Sequence, residues 1–68
     1  MEAFKIKGEY IQLNQLLKAL GWCDNGGDAN SAIEMSEVKV NGVTELRKRN
    51  KIVPGSTVEF RNQKVTIE

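Results

Sequence analysis

Sixty-eight residues make one domain, residues 1–68, and a chain this short buries only about 60% of the surface its unfolded form exposes, so no deep substrate pocket is expected. The net charge of +1 singles out no partner, but its distribution does: residues 39–51 carry five cations and one acid, Glu45, against five cations and eight acids elsewhere. That asymmetry points to a local anion-binding face rather than a generally basic protein.

Residues 3–7 read AFKIK, with Phe4 and Ile6 alternating with lysines, the pattern of a half-buried strand. Leu13, Leu16, Leu17 and Leu20 then recur at helical spacing, giving one apolar face. Gly21 follows, at the position where a helix commonly ends in the left-handed conformation. Tyr10 and Ile11 are expected to pack at the helix entrance. Residues 22–27 read WCDNGG, a turn by composition. Asn25 suits the N-cap of a second helix over residues 26–36, with Asp28 complementing its positive end. Ala29, Ala32, Ile33 and Met35 would form its apolar stripe.

Asn41-Gly42 between two short alternations is a strong hairpin signal, because both central residues of a type I′ turn need positive φ. The flanking strands are residues 37–40, with Val38 and Val40 inward, and residues 43–46. Residues 47–51, RKRNK, are too polar for a core strand and read as a loop or exposed extension. Ile52 and Val53 should return to the core. Pro54-Gly55 fits the centre of a type II turn. Val58 and Phe60 face inward from a strand over residues 57–61, Asn62-Gln63 turns the chain, and Val65 and Ile67 close the sheet. The order is strand, two helices, then short strands. It predicts an α+β domain, a two-helix motif on one face of a small, mainly antiparallel sheet.

Catalytic and metal chemistry find little support. The chain has no histidine, and Cys23 is its one cysteine, so neither a usual acid/base residue nor a zinc set exists. Asp24 and Asp28 flank a glycine pair, but Ala29 and Met35 stand where a calcium loop needs Gly and Glu. Gly26-Gly27 lacks the GK[ST] of a nucleotide loop. No enzyme, cofactor or metal is expected. Cys23 reads as a small apolar side chain near Trp22. Acidic and basic residues interrupt the N-terminus, so no signal peptide is expected, and no run approaches the roughly 20 apolar residues of a membrane span. A soluble, cytoplasmic monomer is the expectation.

A DNA-reading helix-turn-helix fails on charge, since the second helix offers Asp28, Asn30, Ser31 and Glu34 but no Lys or Arg. The basic cluster Arg47, Lys48, Arg49 and Lys51 remains. Such a run is by default a solvated loop. Here a tight hairpin anchors it, and the glycine-opened helix start at Gly26 and Gly27 adds backbone donors suited to phosphate.

In this order, LNQLLKALGW, NGGDA and VKVNGVTELRKRNKIVPGSTV resemble the small RNA-binding domain named after ribosomal small-subunit protein four, the S-four domain. The likeness runs over about residues 10–60 and is strongest to short stand-alone bacterial members. Asn30 stands where the family commonly has Lys, which shifts weight onto the basic loop. The resemblance implies structured RNA, ribosomal or transfer RNA in class, as partner. It implies contacts from Arg47, Lys48, Arg49, Lys51, Lys39, Lys18, Gly26, Gly27, Asn30 and Asn41, with shape rather than base sequence recognised. The alternative is a protein-interaction or ribosome-assembly adaptor whose basic loop meets an acidic partner.

Overall fold

In the computed structural model, which describes residues 2–68, the leucine stripe forms helix α1, Leu13–Ala19, burying Leu13, Leu16 and Leu17 completely. Gly21 N–H donates to the Lys18 carbonyl and Trp22 N–H to the Leu17 carbonyl. This paired closure needs a left-handed residue, and Gly21 supplies it at φ +76°. Helix α2, Gly26–Glu34, starts at Asn25, whose Oδ1 accepts the Asp28 N–H at 2.9 Å. It ends two residues earlier than expected. Ser36 takes φ +63° and donates to the Ile33 carbonyl, while Glu37 N–H donates to Ala32, closing the helix as Gly21 closes α1. Met35 therefore leaves the apolar stripe and is 71% exposed.

The strands are β1 (Glu2–Phe4), β2 (Ile11–Gln12), β3 (Val38–Val40), β4 (Val43–Thr44), β5 (Lys51–Ile52), β6 (Thr57–Phe60) and β7 (Gln63–Ile67). Five of them form one sheet in the order β1-β7-β6-β3-β4; β2 and β5 pair separately. The architecture is the expected α+β arrangement, two helices with a mainly antiparallel sheet, but β1 joins β7 in parallel. The expected strand over residues 3–7 is shifted: it is shorter, and beyond it Ile6 N–H donates to the Glu68 carbonyl.

Asn41 and Gly42 lie at φ +54° and +83° between paired Val40 and Val43, the type I′ hairpin. β4 stops at Thr44, short of the expected Leu46, and Val43 and Leu46 are exposed at this edge of the sheet. Val53 is also exposed; it sits at the start of the Pro54-Gly55 turn, which its carbonyl closes by accepting Ser56 N–H. The final hairpin turns at Arg61-Asn62, one residue earlier than expected, since Phe60 pairs with Gln63 and Arg61 takes φ +55°.

The core joins the leucines of α1 and Ala29, Ala32 and Ile33 of α2 to Val38, Ile52, Val58, Phe60, Val65 and Ile67. Each fully buried aliphatic side chain contributes about 1.5–3 kcal/mol by leaving water. The small alanines let the helices approach. Trp22 stacks on Phe60 with ring centroids 6.1 Å apart. Cys23 is buried beside them, and burial, then the Asp28 charge, pushes its thiol up, away from reactivity.

Candidate nucleic-acid interface

The basic segment is an ordered loop, and its backbone makes it so. Gln12, the residue before α1, offers no side-chain cap. Instead Leu13 N–H donates to the Asn50 carbonyl at 2.9 Å and Asn14 N–H to the Lys48 carbonyl at 3.0 Å. The basic loop thus satisfies two of the donors that every helix start leaves open. The loop closes on itself through Asn50 N–H to the Arg47 carbonyl.

Glu45 is the second anchor. Its carboxylate accepts from Arg47 N–H and Nε, both at 3.0 Å, from Arg47 Nη2 at 3.3 Å and from Asn50 Nδ2 at 3.1 Å. The Arg47 side-chain hydrogen bond, more than any other influence, holds the Glu45 carboxyl below the usual carboxylate range. Arg47 in turn is raised above its ordinary value by that same hydrogen bond. Arg47 remains exposed, but its charge is matched by this acid.

Lys48 and Arg49 are exposed and have no ion-pair partner among the described residues. Lys51, on β5 opposite Gln12, holds its Nζ 4.9 Å from the Tyr10 ring centroid. Asn14 carries the site across to α2, where its Nδ2 donates to Asn30 Oδ1 at 3.1 Å. The Asn14 Oδ1 is buried and accepts nothing from the protein. Gly26 and Gly27 lie four and three residues before Asn30, one turn away on its face of α2.

The structure therefore brings Arg47, Lys48 and Arg49 onto one loop, with Lys51 on the strand that follows it, and connects the loop through Asn14 to Asn30. Lys18 sits in the last turn of α1, away from the helix start that the loop caps. Lys39 is exposed on β3, between Thr44 and Glu59. Asn41 is engaged within the fold, where its Oδ1 accepts Thr57 N–H at 2.9 Å and its N–H donates to the Thr57 carbonyl.

Glu45, Asn14, Asn50 and Tyr10 were not singled out from sequence as interface residues. Glu45 carried one legible signal, since residues two apart on an extended chain share a face and Arg47 stands two residues on. The others carried none. Among the described residues, no group of three or more His, Cys, Asp or Glu gathers to hold a metal, and no helix is long and apolar enough to cross a membrane.

The S4 domain family model matches residues 4–68. The chain belongs to the S4 domain family. YbcJ of Escherichia coli strain K12 is 44% identical over 61 residues, covering 90% of this chain and 87% of YbcJ, and YbcJ of Shigella flexneri gives the same figures. The solution structure of Escherichia coli YbcJ aligns with a TM-score of 0.74 at 43% identity, covering 98% of this chain and 86% of YbcJ. That structure is described as revealing an alphaL motif involved in RNA-binding. This S4 domain shares that fold.

Proposed function

We propose that this S4 domain is a non-enzymatic RNA-binding module that takes structured RNA of the ribosomal or transfer class. Residues 1–68 act as one cytoplasmic, monomeric unit. Phosphates meet Lys48, Arg49 and Lys51, with Lys39, Lys18, Asn41 and the Gly26, Gly27, Asn30 face of α2 as flanking contacts. Arg47 contributes less charge than its neighbours, because Glu45 already neutralises it. The observation that carries this reading is the capped loop: carbonyls turn in to α1 while the Lys48 and Arg49 side chains stay exposed and unpaired among the described residues. Phosphate recognition needs cations held in place, and this loop holds them.

The decisive measurement is RNA affinity, by fluorescence anisotropy with a folded transfer RNA, across a salt series. Three phosphate contacts on duplex segments predict a log–log slope of about −3. Combined Lys48→Glu and Arg49→Glu should weaken binding and flatten the slope by about two, with melting unchanged. A flat salt response in the parent overturns the reading. A second reading, a protein adaptor, draws support from Val43 and Leu46, exposed beside the loop. It requires Val43→Ser and Leu46→Ser to abolish capture of a protein partner while RNA affinity is negligible.

A further inference from the structure

A groove of about 540 Å³ opens beside Tyr10, lined by Lys5, Lys7, Tyr10, Gln12 and Gln15 with apolar walls from Phe4, Ile6 and Ile11. No acidic side chain lines it. Of the chain's four aromatic residues, Tyr10 alone is exposed, at 44%; Phe60 is buried, and Phe4 and Trp22 are partly buried. Lys5 and Lys7 have no ion-pair partner among the described residues. The groove is continuous with the basic loop, because Lys51 pairs with Gln12 across β2 and β5 and its Nζ lies against the Tyr10 ring.

An exposed aromatic ring flanked by lysines and side-chain amides is the chemistry of single-strand recognition: the ring takes a base face, the cations take phosphates and the amides meet base edges. We infer that this groove holds an unpaired nucleotide flanking the structured RNA, its base stacked on Tyr10 and its phosphates facing Lys5 and Lys7. The inference rests on the RNA reading above and extends it, because the loop and the groove would grip different parts of one RNA. A strand leaving the phosphates at Lys48 and Arg49 passes Lys51 before it reaches Tyr10. The site therefore favours RNA with a paired segment followed by an unpaired end or bulge over a blunt helix.

Two RNAs distinguish the readings: a blunt hairpin, and the same hairpin with short single-stranded extensions carrying 2-aminopurine. The extension should raise parent affinity, and Tyr10→Ala should remove that gain, a loss of about 5- to 150-fold on the extended RNA. Tyr10→Phe should keep the gain, and Tyr10→Ala should lose far less affinity on the blunt hairpin than on the extended RNA. Combined Lys5→Gln and Lys7→Gln should flatten the salt slope on the extended RNA by about 1.4 units, the single-strand value for two phosphates. The 2-aminopurine signal should be quenched by the parent and by Tyr10→Phe, and not by Tyr10→Ala. If the parent binds the blunt hairpin and the extension adds nothing, or Tyr10→Ala keeps the gain, the groove proposal falls and the loop reading stands. An acidic peptide that competes for the groove while the extension does not also overturns it. If the parent binds neither RNA, both readings fall.

Discussion

Glu45 organises the cations around it while removing one of them from play. Its carboxyl is held below its ordinary value chiefly by the Arg47 side chain, so the ionised form is favoured in the folded state. A depressed folded value contributes stability above the unfolded carboxylate value, and that contribution is lost as pH falls through the folded value. Glu45→Gln should therefore melt below the parent at pH 7, and the gap should narrow as pH falls below the ordinary glutamate value of about 4.3. A gap that does not narrow at any acid pH where the parent still folds would show that the carboxylate charge is not what braces the loop. Ser36 offers a contrasting case. It ends α2 at φ +63°, where a side chain is strained and glycine is not. Ser36→Gly should stabilise the protein by about 1 kcal/mol in urea unfolding, with RNA affinity unaltered.

At the level of elements, the Asn41-Gly42 hairpin separates two contributions that a single substitution would confuse. Gly42 is at φ +83° with open space where a Cβ would go, so Gly42→Val costs backbone strain, about 1–2 kcal/mol, and no clash. Asn41→Gly keeps the turn conformation accessible but removes the side-chain bond to Thr57, about 1 kcal/mol of net stability. Both should lower the urea midpoint; an unchanged midpoint for Asn41→Gly would mean that the bond to Thr57 is not formed in solution. This hairpin was legible because positive φ at two successive positions restricts residue choice to pairs such as Asn-Gly. The leucine helix was legible because four residues repeat one period. The β2–β5 pair was not, since strands of two residues, Ile11–Gln12 and Lys51–Ile52, are too short to show any period. Nor was the partner of β1: alternation reports which side is buried, not which strand lies alongside or in which direction. Val53 and Met35 misled for one shared reason. An apolar residue in a plausible pattern reads as inward, although apolar side chains make up much of every protein surface.

Across the whole molecule, the ion pairs divide the surface. Arg61 pairs with Glu37 and Lys64 with Glu59 around the β6–β7 hairpin, so cations there are matched by acids. Lys48 and Arg49 on the loop and Lys5 and Lys7 near the N-terminus remain unmatched among the described residues. Composition showed an excess of cations over residues 39–51. Which of them stay available depends on where Glu45 points, and only the folded chain decides that.

The carbonyl contacts from Lys48 and Asn50 to α1 tie ligand binding to hydrogen exchange. The amide protons of Leu13 and Asn14 can exchange with solvent only when the loop lifts from the helix start, so their exchange rates report loop opening directly. RNA that grips the loop should slow both, by up to the factor 1 + [RNA]/Kd if it binds only the closed form. Glu45→Gln, which loosens the same loop, should quicken them without RNA. Leu20, whose amide bonds to Leu16 at the end of the helix, serves as the internal reference. If RNA slows Leu20 as much as Leu13 and Asn14, the ligand stabilises the whole fold and the loop has no opening of its own.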